Sequence, residues 1–265
     1  MAVLIPITDP DDPRAAPYRD VRERDLVGRQ GRFIAEGEVV LRVLAGSNRY
    51  AAESVLVDER RLAKLAPLLA ALPAATPVFS AGQAVVDAIA GFHLHRGVLA
   101  IGRRPPDGGA EALLTSLSDA PLVMALFGIA NHDNMGGLFR NAAAFGVDAV
   151  LLDASACDPL YRKAIRVSVG GALVVPFARL RAGEDPLALL ARHGFEALAL
   201  TPSGAAPLAT VSPPARCALL LGAEGPGLPA DVLARARTVA IPMAAGFDSL
   251  NVATAAAIVL HHLRG

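Results

Sequence analysis

Cysteine is scarce in this sequence. Two residues in 265, Cys157 and Cys217, cannot build a disulfide framework, and neither has the company of a metal site. They are read as inert or buried thiols of a reducing compartment, the cytoplasm. Net charge is lacking too: 25 basic and 25 acidic residues cancel, which argues mildly against nucleic-acid binding, since phosphate contacts normally leave a basic excess. No apolar run reaches the length of a membrane span. The longest candidate near the C-terminus, Val252 to Leu260, is short and flanked by Asn251 and His261. Met1 to Ile7 run straight into Asp9, Asp11 and Asp12, which is not the pattern of a secretory leader. The dinucleotide spacing G-x-G-x-x-G, the P-loop, the G-x-S-x-G elbow and H-E-x-x-H are all missing. His261 and His262 are adjacent, hence on different faces of a helix, and do not make a metal pair.

What is present is a hydrophobic fraction of 53%, much of it alanine, in a length that suits one large α/β domain or two smaller ones. Arginine dominates the bases and clusters at Arg22, Arg24, Arg29 and Arg32, at Arg96, Arg103 and Arg104, and at Arg162, Lys163 and Arg166. Glu23 and Asp25 dilute the first cluster. Any one cluster fits a solvated charged face as well as an RNA footprint. His93 and His95 lie just before a predicted strand and could also touch RNA.

The first twenty residues, rich in proline and acid, predict an extended arm. From Gly31 a short turn leads into an amphipathic helix with Val39, Val40, Val43 and Leu44 on one face. Strands are predicted at Ala52 to Asp58, at "TPVFSA" and at Arg96 to Arg103, with helices at Leu62 to Leu72 and Gln83 to Ala90 between them. Residues 1–107 therefore form an arm and a small α/β domain. "RRPPDGGAEA" marks the boundary, and 108–118 is predicted as a linker. In 119–265, near-continuous apolar strands ("PLVMALFGI", "DAVLLD", "GALVVPFAR", "FEALALTP", "RCALLLG", "TVAIPM") alternate with helices, the last from Leu250 to Leu263. That pattern predicts a parallel sheet covered on both faces.

Three loops at carboxyl ends of these strands hold the unusual residues, where open α/β sheets bind ligands. The first, Asn131 to Asp148, begins with a polar turn able to cap the following helix, which carries Gly136, Gly137 and Arg140. Among apolar neighbours, Arg140 is either a structural ion pair or a functional cation. The second, Leu219 to Pro229, is glycine-rich around a single carboxylate, Glu224. The third, Ile241 to Leu260, places Ser249 where a helix N-cap is expected. It also puts Asn251 in the first turn, where asparagine competes with the backbone unless its amide has a partner.

In this order the loops resemble the three motifs of the SpoU/TrmH RNA methyltransferases. Asn134, Gly136 and Arg140 match N-x-G-x-x-x-R; Gly222, Glu224 and Gly227 match G-x-E-x-x-G. Ile241, Pro242, Met243, Ser249, Leu250, Asn251 and Val252 match I-P-M … S-L-N-V. "RKAIRVSVGG", Arg162 to Gly171, is similar to a family segment between the first two motifs. The likeness covers roughly 119–265. More loosely, "FIAEGEVVLRVL" and "HRGVLAIGRR" are similar to the family's small RNA-binding domain, although Arg96-Gly97 stands where members often have glutamine and glycine.

The resemblance implies an α/β protein whose parallel-sheet catalytic domain ends in a C-terminal trefoil knot, preceded by a small α/β RNA-binding domain. It implies a homodimer acting on structured RNA, ribosomal RNA favoured over transfer RNA, with S-adenosylmethionine as methyl donor and a ribose 2′-hydroxyl as acceptor. The cofactor contacts it implies are Thr201, Leu221, Gly222, Gly225, Ile241, Pro242, Met243 and Leu250. A 2′-hydroxyl is a poor nucleophile and the sulfonium a good donor, so the chemistry needs alignment and stabilisation of a developing alkoxide, and no metal. Arg140 is the expected stabiliser. Asn134, Ser249 and Asn251 would orient ribose and cofactor, and Glu224 would organise the cofactor loop. A catalytically silent RNA-binding protein of the same fold is the alternative, and an unrelated nucleotide-binding α/β enzyme is a more distant one.

Overall fold

Strand β6, Leu122–Phe127, is buried at all six positions, as a central strand covered on both faces must be. A computed structural model describes residues 3–19, 30–245 and 249–264. Arg22, Arg24 and Arg29, with Glu23 and Asp25, lie outside the described residues. The chain divides into two compact units: residues 1–106 with 160–174, and 107–159 with 175–265.

The first unit holds β1 (Val3–Pro6), β2 (Arg32–Glu36), α1 (Glu38–Ala45), β3 (Ala51–Asp58), α2 (Leu62–Ala70), β4 (Pro77–Ala81), α3 (Gln83–Ala90) and β5 (Val98–Arg103). Its sheet has the order β1-β4-β3-β5-β2, parallel across β1, β4 and β3 and antiparallel across β3, β5 and β2. Two expectations are corrected here. The extended N-terminal arm is instead an edge strand pairing with β4 and a 3-10 turn at Pro13–Tyr18, anchored by buried Ile7, Ala15 and Tyr18. The turn before the first helix is strand β2, and the buried face of α1 is Val40, Leu41 and Leu44, with Val39 54% exposed. Gly37, at φ +94, separates the strand from the helix.

The second unit comprises α4 (Gly109–Thr115), β6, α5 (His132–Ala144), β7 (Ala149–Leu152), β8 (Phe177–Arg179), α8 (Pro186–Arg192), β9 (Glu196–Leu200), β10 (Ala206–Pro207), β11 (Cys217–Gly222), α9 (Ala230–Arg235), β12 (Arg237–Ala240) and α10 (Val252–Arg264). Between β7 and β8 in sequence, α6 (Arg162–Val167) and α7 (Gly171–Val174) belong to the first unit. The seven strands are all parallel, in the order β10-β12-β9-β11-β6-β7-β8.

The predicted linker contains α4, whose Ala110 and Leu114 are buried in the core of the second unit. "GALVVPFAR" is not one strand. The Ser168 hydroxyl accepts from the Ala172 N–H at 3.2 Å and starts the helical turn α7, leaving only Phe177–Arg179 to the sheet. The predicted strand "TVAIPM" ends at Ala240, because Pro242 has no N–H for the ladder. Helix α5 begins at His132, inside the predicted polar turn, and is capped by Asn131, whose side chain accepts from the Asp133 N–H at 2.8 Å.

Helices α5 and α10 lie against each other through very small groups. A Cβ on Gly137 would come within 2.8 Å of the Ala253 Cβ, and Asn141 Nδ2 donates to the Ala253 carbonyl at 2.6 Å. The alanine-rich start of α10 thus packs closely on α5, at a position where a side chain on Gly137 would clash.

Candidate functional site

All three loops of the second unit lie at carboxyl ends of parallel strands, after β6, β11 and β12. After β11 the chain reverses within a few residues. The Gly227 N–H donates to the Ala223 carbonyl at 3.0 Å, and Gly225 and Gly227 both take positive φ. Gly222 enters this turn where no side chain fits: a Cβ there would stand 2.2 Å from the Gly227 carbonyl carbon and 2.3 Å from the Leu228 nitrogen. Beyond β12, Ile241 and Met243 leave the sheet and form the opposite wall of a cavity of about 460 Å³.

That cavity is lined by Leu200, Thr201 and Pro202, by Leu221 to Gly225 with Gly227, by Ile241 and Met243, and by Ser249 to Val252 with Ala255. Its volume suits a cofactor-sized ligand. Glu224 carries the single carboxylate in a lining that also holds the polar side chains of Thr201, Ser249 and Asn251 and is otherwise apolar or offers backbone groups. Such a wall holds a flat heteroaromatic ring by apolar contact and backbone hydrogen bonds, with one carboxylate for a ligand amine or hydroxyl. Of the residues implied as cofactor contacts, Thr201, Leu221, Gly222, Gly225, Ile241, Met243 and Leu250 lie in the lining. Pro242 does not; it is exposed. Val252, matched in the third motif, lies in the lining too, whereas Leu200, Pro202, Ala223 and Ala255 were not singled out in the sequence. Leu200 and Pro202 could have been, because β9 also ends on this side of the sheet.

At the mouth the three loops join through one amide. Asn251 Nδ2 donates to Asn134 Oδ1 and to Glu224 Oε1, both at 2.8 Å. Its Oδ1 accepts from the N–H groups of Ala253 and Thr254 at 3.0 and 3.3 Å. Asn251 is therefore the N-cap of α10, and the expectation that Ser249 caps this helix is corrected; Ser249 lines the cavity instead. With both donors and its acceptor used, the amide is fixed in rotation. Asn134 is buried at 8% exposure, whereas Glu224 and Asn251 are exposed.

Arg140 stands apart from this cluster. It does not line the cavity, its side chain is exposed, and no hydrogen bond or ion pair holds it among the described residues. The structural ion pair that its apolar neighbours suggested is thus not made there. Six residues beyond Asn134, it is about 120° from it around the helix.

The neighbouring loop is braced separately. Asp153 accepts from the N–H of Gly128 at 3.1 Å and of Ala156 at 2.7 Å, and from the Ser155 hydroxyl at 2.6 Å. Arg179 Nη1 donates to the carbonyls of Asp153 and Ala156. Burial, with the Asp158 charge second, pushes the nearby Cys157 thiol up to about 11.

Comparison with known proteins agrees with this geometry. The model of the SpoU rRNA Methylase family matches residues 121–261. An uncharacterized tRNA/rRNA methyltransferase of Mycobacterium bovis is 43% identical over 96% of this chain and 90% of its own length. A 23S rRNA (guanosine-2′-O-)-methyltransferase of Acinetobacter baylyi is 32% identical over 77% of this chain and 84% of its own. The fold is shared with an AdoMet-bound rRNA methyltransferase from Sinorhizobium meliloti, with a TM-score of 0.83 at 22% identity, covering 98% of this chain and 97% of that one. With the family model spanning more than half its length, and with the three loops of that span tied together by Asn251 beside one cavity, the chain belongs to the SpoU family of RNA methyltransferases.

Proposed function

We propose that the protein methylates a ribose 2′-hydroxyl of structured RNA, ribosomal in preference to transfer RNA, with S-adenosylmethionine as donor. The observation that carries this is the amide of Asn251, which ties Asn134 and Glu224 together at the mouth of a cavity of suitable size. The 2′-hydroxyl as acceptor and the ribosomal preference are supported by the Acinetobacter baylyi relative, whose name gives both. No described helix is long and apolar enough to cross a membrane, in keeping with work on RNA in the cytoplasm.

The lining fits the cofactor: backbone groups of Leu221, Gly222, Ile241 and Leu250 would hold an adenine, and Thr201 and Met243 would flank it. When bound there, S-adenosylmethionine supplies an electrophilic methyl on a cationic sulfur. Glu224 would supply the one carboxylate of the cavity to the bound cofactor and is itself held by Asn251. Asn134 and Ser249 orient the ribose. Arg140, always protonated, stabilises the developing alkoxide and positions phosphate rather than acting as a literal base.

Because Arg140 projects from another side of α5 than Asn134, we assign it to a site completed in a homodimer whose interface includes α5 and α10. The trefoil knot belongs to the same reading. The chain crosses from β12, beyond β9, to α10 lying on α5, which follows β6 on the far side of β11. Calorimetric titration with S-adenosylmethionine, then mapping of ribose methylation in ribosomal and transfer RNA from a deletion strain, tests the function. Saturable binding and one lost 2′-O-methyl group are expected. Cofactor binding that is absent would leave a silent RNA-binding protein of the same fold.

A further inference from the structure

We propose that Asn141, a side chain outside the cavity, is a positioning residue of the methyl-transfer site. It fixes the register of α10 along α5 and so holds the Asn251 amide on Asn134 and Glu224. The proposal rests on the reading of that amide as the centre of the site and adds the group that places it.

Three residues of α5 meet the start of α10. Asn134 Oδ1 accepts from Asn251 Nδ2 at 2.8 Å, Gly137 faces the Ala253 methyl, and Asn141 Nδ2 donates to the Ala253 carbonyl at 2.6 Å. Their spacing, i, i+3 and i+7, puts all three on one face of the helix. Arg140, one residue before Asn141, points about 100° away from it.

The contacts differ in what they fix. Gly137 sets how closely the two backbones approach, since a Cβ there would stand 2.8 Å from the Ala253 Cβ. Smooth apolar groups hold no position along the helix axis, because such contact is non-directional. A hydrogen bond is directional and weakens steeply with misalignment. Asn141 therefore supplies the axial register.

Ala253 in turn gives its own N–H to Asn251 Oδ1 at 3.0 Å, and the Ala255 N–H donates to the Asn251 carbonyl at 2.9 Å. The residue that Asn141 grips is thus bonded directly to the side chain of Asn251. A slip of α10 by one residue's rise, about 1.5 Å, exceeds what a 2.8 Å hydrogen bond tolerates. Val252 and Ala255, on either side of Ala253, line the cavity, so the same register places the cofactor wall.

Asn141 itself is half-buried and absent from that lining. Asparagine is a poorer helix former than the alanine that fills the next three positions. Its amide goes to α10, not to its own helix.

The test is calorimetric titration of S-adenosylmethionine into the full chain carrying Asn141→Ala, Asn251→Ala or both, each below its melting temperature. Asn141→Ala alone is expected to weaken binding about tenfold, the effect of one lost hydrogen bond. Added to Asn251→Ala, it is expected to cost less than about twofold more, because the tie it positions is already gone. Equal losses in the two backgrounds overturn the proposal, and so does wild-type affinity in a folded Asn141→Ala protein. Where Asn141→Ala does not fold, or Asn251→Ala binds too weakly to titrate, Asn141→Asp is read instead. It keeps the shape of the amide but sets an oxygen against the Ala253 carbonyl, so weaker binding than wild type is expected and unchanged affinity overturns the proposal. Each of these failures leaves the methyltransferase reading intact. A wild-type chain that does not bind S-adenosylmethionine overturns that reading and this one with it.

Discussion

Asn251 and Asn134, 117 residues apart in the chain, meet at 2.8 Å, amide nitrogen to amide oxygen. The same nitrogen reaches Glu224, so a single side chain holds all three loops and caps the last helix. Asn251→Ala should lose the cap, at about 1 kcal/mol, and the tie between loops as well. Asn251→Asp is the sharper variant. Aspartate caps a helix as well as asparagine does, but it loses both donors and sets a second carboxylate beside Glu224. Repulsion raises the pKa of one of the pair, so the variant's stability and cofactor affinity should rise as pH falls and be lost as pH rises. Calorimetric titration across pH checks this; a pH-independent Asn251→Asp protein with wild-type affinity contradicts it.

Arg140→Ala should fold and bind cofactor as wild type does, since the side chain is exposed and held by no described partner. Methyl transfer should fall about a hundred- to a thousandfold, the cost of one lost oxyanion-type contact. Arg140→Lys should recover little, because an ammonium lacks the planar fork. Single-turnover methylation beside thermal melting measures both, and near-wild-type turnover by a folded Arg140→Ala protein would refute the assignment.

Gly222→Ala tests the cavity wall. The new methyl would stand 2.2 to 2.4 Å from backbone atoms of Gly227 and Leu228, so the turn must move. Forced overpacking of this kind costs about 1–3 kcal/mol. A lowered melting temperature and loss of S-adenosylmethionine binding are expected together. Retention of wild-type affinity would mean that the turn is not part of the cofactor site.

Light scattering should report twice the 27.3 kDa chain mass at micromolar concentration. A charge at Ile258, 40% exposed on α10, should weaken the assembly without touching the core. A stable monomer with full activity would exclude a site completed by a second copy.

The two thiols provide a test by pH. Burial is the leading cause in both: it pushes Cys157 up to about 11 and Cys217 up to about 12, from 9.0. A folded-state pKa above the unfolded value contributes stability that is complete below the unfolded value and lost as pH rises through the folded one. Denaturation midpoints should therefore fall as pH rises from 9.0 through 11 and 12. At neutral pH the native thiols should react with iodoacetamide far more slowly than the denatured ones. Rapid alkylation of native Cys217 would contradict its burial.

Local chemistry in the sequence determined much of this protein. Apolar runs such as Leu122–Phe127 and Cys217–Gly222 read as buried parallel strands, and their carboxyl ends already marked where the loops would gather. The motif residues Glu224, Ser249, Leu250 and Asn251 were legible from type and spacing, and the structure brings them to one cavity. Pairing partners were not legible. Whether Val3–Pro6 is a loose arm or an edge strand depends on β4, more than seventy residues away. Whether Ser249 or Asn251 caps α10 depends on which side chain also finds Asn134 and Glu224. The environment of Arg140 likewise depends on which face of α5 the core covers, which its apolar sequence neighbours do not reveal. Nor could any periodicity show that Arg162 and Arg166 would face Glu36, well over a hundred residues earlier. Contacts of that range are set by the free energy of the whole packed unit, whereas helix, strand and turn preferences act over a few residues.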